Sequence, residues 1–314
     1  MIAPARGICL IGGAAVPQAW RNTFEAVLRE EGLFIWDRQG AGEAECAIVA
    51  RSQPGALRTL GGLRLVSSVG MGVDHILADP DLPTGVAVVR VVTDDMVAQV
   101  AEYVVLAVLR IERESDGFDR LQREGRWERR LVARPGGRRR VGLLGLGAIG
   151  GVAARHLVAL GFPVRGWSRS PRGIPGVITH AGEQGLARML AETDILVCAL
   201  PRTPETEGIL DGRCFARLPR GAHVVNVGRG EHLVEKDLLE AIDAGQVSGA
   251  TLDVFRTEPL PPGHPFWQHP AIRITPHSAG LSTPEASARR ILENLRRLRA
   301  GEPLLDAVER GRGY

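Results

Sequence analysis

The sequence predicts an α/β protein made of two doubly wound domains, and three observations predict it. A chain of 314 residues is longer than one hydrophobic core usually serves. Short apolar runs alternate with segments of helical periodicity along its length, the order that builds parallel sheets covered by helices. In mid-chain, an apolar run opening at Val141 leads into Gly145-x-Gly147-x-x-Gly150, the glycine spacing of a strand, turn and helix that can take a pyrophosphate.

The first domain opens with a strand at residues 7–11. Its apolar stretch is broken by Gly12 and Gly13 and followed at once by Pro17, so it reads as a strand rather than a targeting segment. Residues 18–30 carry Trp20, Phe24, Val27 and Leu28 on one helical face. Further strands are predicted at residues 33–36, 46–50, 63–67 and 86–92, the last two apolar enough to lie inside a parallel sheet. Between those two, Val69, Gly70, Met71 and Gly72 make a strand-to-helix turn. Its backbone N–H groups can face an anion, and a plain tight turn is the other reading. Thr93 and Asp94 cap a long helix through Met96, Val100, Val104, Val108 and Ile111, expected to cross into the second domain. Residues 112–140 are rich in arginine and include Trp127. They read as a solvated face or an arm against a partner subunit, in preference to a phosphate-binding surface.

In the second domain, Val152, Ala153, Leu157 and Leu160 continue the glycine motif as an amphipathic helix. The N-terminus of that helix offers unpaired N–H groups and a positive dipole end, so Gly145, Leu146, Gly147, Ala148, Ile149 and Gly150 form the predicted cofactor turn. The next strand, residues 163–167, ends at Trp167 and runs into Ser168, Arg169 and Ser170, then Pro171 and Arg172. An acidic residue here would take a ribose 2′-hydroxyl, whereas hydroxyls and guanidinium groups suit a 2′-phosphate. NADP(H) is therefore the expected cofactor, with NAD(H) as the alternative. Strands at residues 194–199, 223–227, 249–254 and 272–274 each end in a polar or proline-marked loop, where ligands gather in such sheets. A last amphipathic helix, residues 283–299 with Ala288, Ile291, Leu292, Leu295 and Leu298, is expected to return to the first domain. The predicted organisation is two Rossmann-like doubly wound domains with the active site in the cleft between them. Residues 1–95 and 284–314 form a flavodoxin-like substrate domain, and residues 96–283 an NAD(P)-binding Rossmann domain.

Composition narrows the chemistry. The net charge of +3 is mild and the basic residues are spread along the chain, so nucleic acid is not an expected partner. Lys236 is the only lysine and follows no glycine loop, which excludes a P-loop. Cys9, Cys46, Cys198 and Cys214 are far apart with no CxxC, so neither a zinc site nor a disulfide framework is expected, and a reducing cytoplasm fits. The histidines show no HxxxH or HExxH spacing, and no metal is expected. The longest apolar helix carries Glu102 and ends at Arg110, so no membrane span is expected either.

Three ionisable residues stand at strand ends of the second domain: Arg229, Glu258 and His277. An arginine can hold a carboxylate with forked hydrogen bonds and draw electron density from an adjacent carbonyl. A histidine can give a proton to a carbonyl oxygen as hydride arrives, and a carboxylate beside it favours imidazolium and fixes the ring. Together these residues suffice to reduce a 2-keto acid. Taken singly, Glu258 before Pro259 also reads as a turn residue and His277 as a satisfied loop histidine, whereas Arg229 between two glycines has less of a structural reading.

The chain resembles the D-isomer-specific 2-hydroxyacid dehydrogenases, and within them is most similar to the bacterial glyoxylate/hydroxypyruvate reductases. The likeness runs over nearly the whole chain. It is carried by the glycine motif, the LPRTPET run at residues 200–206, Asn226-Val227-Gly228-Arg229-Gly230, Leu252-Asp253-Val254-Phe255, Glu258-Pro259-Leu260-Pro261, Thr275-Pro276-His277 and the ending at residues 308–314. The resemblance implies that Arg229 binds the substrate carboxylate and orients its carbonyl, that His277 is the acid/base and that Glu258 is its partner. It further implies that Val69, Gly70, Met71 and Gly72 give backbone donors to the carboxylate, and that Leu200, Pro201, Thr206, Val227, Gly228 and Asp253 line the cofactor. It also implies a homodimer formed through the cofactor domain. Two positions depart from the pattern: Ala50-Arg51 stands where relatives carry an aromatic residue near the substrate, and Gly228 where alanine is more common. The first leaves the side-chain preference open.

The expectation is therefore an enzyme that reduces a small 2-keto acid, such as glyoxylate or hydroxypyruvate, with NADPH. The competing expectations are a corepressor-like protein that senses dinucleotides without turnover, and a relative with another cofactor preference or another substrate, formate and phosphite among them.

Overall fold

The computed structural model describes residues 7–12, 16, 18–36, 44–50, 55–58, 60–129 and 137–314. In chain order the elements begin with β1 (Gly7–Ile11), α1 (Gln18–Arg29), β2 (Phe34–Trp36), β3 (Cys46–Val49), β4 (Leu65–Ser68), α2 (Asp74–Leu77), β5 (Ala87–Val89) and α3 (Asp94–Glu112). They continue with α4 (Ser115–Arg123), β6 (Val141–Leu144), α5 (Ala148–Ala159), β7 (Val164–Ser168), β8 (Val177–Ala181), α6 (Gly182–Ala191) and β9 (Ile195–Cys198). The last are α7 (Gly212–Arg217), β10 (Ala222–Asn226), α8 (Glu235–Asp243), β11 (Val247–Leu252), β12 (Ile272–Ile274) and α9 (Pro284–Ala300). The chain divides into two compact units, Met1–Met96 with Leu281–Tyr314, and Val97–Gly280, the division falling in the first turn of α3.

The first unit holds a five-stranded sheet in the order β2-β1-β3-β4-β5, with parallel pairing throughout. That is the flavodoxin-like strand order. The four residues of β3 and of β4 are all buried, as strands covered on both faces require. On one face Phe24, Val27 and Leu28 of α1 pack with Ala288, Ile291, Leu292 and Leu295 of α9 over Ile8, Cys46 and Leu65. On the other, Leu57, Leu60, Leu63 and Ile76 cover Cys9, Ala47 and Val66. The helix α9 has clean ends: the Thr283 hydroxyl accepts from Ala286 N–H at 3.2 Å, Pro284 opens the first turn, and Gly301 closes it at φ 71°. Sequence periodicity overextends the strand predicted at residues 86–92, since β5 ends at Val89, where Ala307 pairs with it in an antiparallel bridge.

The second unit holds a seven-stranded sheet in the order β12-β11-β10-β9-β6-β7-β8, again parallel throughout. Counted from β6, this is the dinucleotide-binding order 3-2-1-4-5-6 with one strand added at the far edge. Residues of α3 and α5, among them Val100, Val104, Ala153 and Leu157, cover one face. Leu190, Phe215 and Leu238 of α6, α7 and α8 cover the other. Strand order reverses between β6 and β9, so the crevice at their carboxyl ends is the ligand position of such a sheet. Among the described residues no helix is long and apolar enough to cross a membrane.

Candidate active site

The glycine turn lies at the carboxyl end of β6. Gly145 adopts φ 97°, a conformation that side chains resist, and a Cβ there would stand 2.8 Å from the Ala199 carbonyl oxygen. A Cβ on Gly150 would overlap the Gly145 carbonyl, so the first turn of α5 can lie against β6 only without one. At Gly147 the space is open, and α5 has no side-chain cap, which leaves its first N–H groups pointing outward. Gly147 and Ala148 are exposed, Ile149 is half-buried, and Leu146 is buried against Gly166.

Beside this turn, Trp167 donates its indole N–H to the Gly182 carbonyl at 2.9 Å, and the Ser168 hydroxyl donates to the Ser170 carbonyl at 2.6 Å. Arg169 and Ser170 are exposed, and no carboxylate stands among residues 167–172. Arg172 reaches back to the glycine turn, donating from Nη1 to the Leu146 carbonyl at 3.2 Å. Beyond β9, Leu200 is buried, and Thr206 closes its loop by donating to the Pro201 carbonyl at 2.8 Å while accepting from Thr203 N–H at 2.8 Å.

Three further strand ends assemble the ionisable residues. After β10, Asn226 is fully buried and shapes the turn: its side chain accepts from Gly228 N–H at 3.1 Å and donates to the Arg229 carbonyl at 2.9 Å. Val227 and Gly228 are buried below, and Gly230 lies so close to the Phe255 and Arg256 backbone that a Cβ would overlap it. The Arg229 guanidinium is half-buried and donates from Nη1 to the Gly228 carbonyl at 2.8 Å.

After β11, Asp253 is 1% exposed, and its carboxylate accepts from the Thr275 hydroxyl at 2.6 Å and from the N–H groups of Ser278 and Ala279 at 2.9 and 3.0 Å. Glu258 accepts from Phe255 N–H at 2.9 Å on one oxygen, and on the other meets His277 Nδ1 at 2.8 Å. Burial alone would raise the Glu258 carboxyl. The hydrogen bonds from His277 and Phe255 N–H, with the nearby charges of His277 and Arg229, outweigh that and hold it below the usual carboxylate range. After β12, His277 N–H donates to the Asp253 carbonyl at 2.7 Å, and the imidazole is nearly half-exposed at 47%. An open imidazole paired to an ionised carboxylate, with a guanidinium on the neighbouring loop, can protonate a carbonyl oxygen.

Arg229, Glu258 and His277, read from the sequence at strand ends, thus come together on one sheet edge with the glycine turn. The fully buried His232, which contacts both the Arg229 and Pro201 segments, was not singled out in the sequence. Its only sequence signal is a histidine three residues past the arginine. In the first unit, Val69, Gly70, Met71 and Gly72 are half-buried after β4, and Ser68 braces them: its hydroxyl donates to the Gly72 carbonyl at 2.6 Å and accepts from Gly70 N–H at 3.3 Å. Arg51 lies outside the described residues. Among the described residues no group of three or more His, Cys, Asp or Glu side chains could hold a metal ion.

A family model described as the NAD binding domain of the D-isomer specific 2-hydroxyacid dehydrogenases matches residues 105–279. The chain is 42% identical over 302 residues to glyoxylate/hydroxypyruvate reductase A of Serratia proteamaculans, covering 95% of this chain and 96% of the relative. Among solved structures, a D-isomer specific 2-hydroxyacid dehydrogenase from Xanthobacter autotrophicus Py2, in complex with NADPH and MES, superposes with a TM-score of 0.90 at 38% identity, covering 99% of this chain and 100% of that one. An NADPH-dependent glyoxylate/hydroxypyruvate reductase from Sinorhizobium meliloti, in complex with NADP and sulfate, gives a TM-score of 0.88 at 33% identity, covering 98% and 100%.

Proposed function

This chain belongs to the D-isomer specific 2-hydroxyacid dehydrogenase family, and from that premise we propose that it reduces glyoxylate or hydroxypyruvate to the 2-hydroxy acid with NADPH. The observation that carries this reading is the His277–Glu258 pair at 2.8 Å, on the same sheet edge as Arg229 and the glycine turn. The residues present fit a dinucleotide. The open space at Gly147 and the uncapped start of α5 suit a pyrophosphate, and Ser168, Arg169 and Arg172, in a run of residues 167–172 that contains no Asp or Glu, suit a 2′-phosphate. Leu200, Pro201, Thr206, Val227, Gly228 and Asp253 complete that assignment. When bound, the reduced nicotinamide supplies the hydride to the carbonyl carbon.

The chain's own residues do the rest. Arg229 pairs with the carboxylate and polarises the neighbouring carbonyl, and Val69, Gly70, Met71 and Gly72 give that carboxylate backbone donors. His277 holds a proton on Nε2 for the carbonyl oxygen, while Glu258 holds Nδ1 and fixes the ring. Asp253 keeps the loop of residues 275–279, and so His277, in place. Leu106, Phe118 and Trp127, all exposed, suit the second unit to a homodimer contact, and a solution mass of one chain would overturn that part.

The test is nicotinamide absorbance with glyoxylate, hydroxypyruvate, pyruvate and phenylpyruvate, each with NADPH and with NADH. Rapid NADPH oxidation with the two small acids is the expected result. Better turnover with NADH overturns the role given to Ser168 and Arg169. No turnover with either cofactor overturns the enzyme reading and leaves a dinucleotide-binding protein in its place.

A further inference from the structure

His232 has no part in the chemistry above, yet it is buried and hydrogen-bonded to the loop that carries Arg229. Its side chain is fully buried, in the short 3₁₀ turn Gly230–His232 that follows Arg229. Nδ1 lies 3.0 Å from the Arg229 main-chain N–H, which can only donate. Nε2 lies 3.2 Å from the Pro201 carbonyl oxygen, which can only accept. Both contacts are satisfied by one form of the ring, the neutral tautomer with its proton on Nε2. The Cys198 Sγ, 3.6 Å from Nδ1, agrees with this: burial pushes that thiol up to about 12, so the sulfur keeps its proton and can donate weakly toward the same nitrogen.

The surroundings fit this ring and its hydrogen bonds. A Cβ on Gly228 would stand 2.8 Å from Nδ1 and 2.9 Å from the Leu200 carbonyl oxygen, so the imidazole occupies the space a side chain there would need. Main-chain bonds close the same seam, from Gly208 N–H to the Glu231 carbonyl and from Leu210 N–H to the His232 carbonyl, both at 2.9 Å. Arg202 also pairs with Glu231 at 2.8 Å. An aliphatic residue at 232 could fill the volume, but it would leave the Arg229 N–H without its acceptor.

We infer that His232, fixed as the neutral Nε2–H tautomer, is a positioning residue that sets the main-chain placement of Arg229 and ties it to the loop of residues 200–206. The inference rests on the reading of Arg229 as the substrate anchor. A guanidinium gains from its forked geometry only where its backbone is held, and a misplacement of about 1 Å costs on the order of 100-fold in rate. The ring thereby joins the segment assigned to the substrate to one assigned to the cofactor.

The test compares wild type with His232→Asn and His232→Leu. The Asn amide oxygen can stand where Nδ1 does and accept from Arg229 N–H, whereas Leu keeps volume and loses both hydrogen bonds. Steady-state kinetics with glyoxylate, titration with oxalate as a carboxylate probe, and NADPH titration are run on each. The expected result is that His232→Leu lowers kcat/KM by about 10- to 100-fold, mainly through KM, and weakens oxalate in step. NADPH binding moves less, and His232→Asn recovers most of the loss. A folded His232→Leu variant with wild-type kcat/KM and oxalate affinity overturns the inference, as does a His232→Asn variant no better than Leu.

Long-range nitrogen–proton spectra of histidine-labelled protein form a second arm independent of turnover. One Nε2–H tautomer signal should be present in wild type and absent from His232→Asn; if the signal lost in that variant is instead of the Nδ1–H or imidazolium form, the inference is overturned. Should wild type turn over no 2-keto acid, the functional reading falls, while the oxalate and tautomer arms still decide the role of His232.

Discussion

His277 adopts φ 51°, in the left-handed region that histidine enters rarely, and two main-chain contacts hold it there: its N–H faces the carbonyls of Asp253 at 2.7 Å and Thr275 at 3.1 Å. The ring is thus aimed by the backbone before Glu258 touches it. Replacing His277 with Ala should lower kcat by about 10²- to 10⁴-fold while NADPH titration changes little, and unchanged turnover would remove His277 as the acid. The Glu258 carboxyl, held below its usual range, gives the pair a definite pH window. A carboxyl lower in the folded than in the unfolded chain contributes stability above its unfolded value and loses it as pH falls through the folded one. Thermal melts from neutral into acid pH should therefore bring wild type down toward Glu258→Gln, and a constant gap between them would refute the pairing. The identity of the ionisable residues was legible because each sits beside a glycine or proline at a strand end. The work of Asp253 and His232 was not, since nothing local announces a contact with residues far along the chain.

At the scale of elements, the candidate site residues gather where strands end. Strand β7 stops at Ser168, and the exposed Arg169 follows in a run to Arg172 that contains no Asp or Glu. Arg169→Ala should cut kcat/KM with NADPH about tenfold or more and leave NADH nearly unchanged, because a lost phosphate contact touches only the phosphorylated cofactor. Equal losses with both cofactors would assign Arg169 elsewhere.

At the opposite end of β10, His223 lies 3.3 Å from the Thr251 hydroxyl, and burial, helped by Arg139 and opposed by Asp116, lowers it from 6.5 to about 4. The unfolded chain takes up that proton first, so this contribution is complete above 6.5 and is lost as pH falls toward 4. The loss amounts to at most about 3 kcal/mol. His223→Gln should flatten the fall in melting temperature across that range, and an unaltered slope would show that other groups set it.

Buried strands were readable as apolar runs, whereas β8 was missed: no residue of Val177–Ala181 is fully buried, as befits a sheet edge, so its pattern carries little period. The helix α4 was likewise hidden inside the arginine-rich segment, where Asp116 and Asp119 pair with Arg110 and so fasten it to α3.

For the whole molecule, the two strand orders and two parallel sheets were legible as a class, because alternating runs admit few other arrangements. The division of the chain carries its own prediction. A fragment of residues 97–280 holds a complete sheet with helices on both faces, and should fold and bind NADPH. A fragment of residues 1–96 lacks α9, whose Ala288, Ile291, Leu292 and Leu295 close one face of its sheet, and should not melt cooperatively. The reverse result would mean that the first unit's core does not depend on its last helix.

That dependence matters during synthesis. The strands of the first unit leave the ribosome early, but the helix that covers them is encoded after the whole second unit. At about 5–20 residues per second, the interval is on the order of ten to forty seconds. For that time Leu10, Phe24 and Leu65 have no final partner in α9, while the second unit can already fold. The nascent chain thus carries an uncovered apolar surface for most of its translation, and it is in this window that a chaperone would find it.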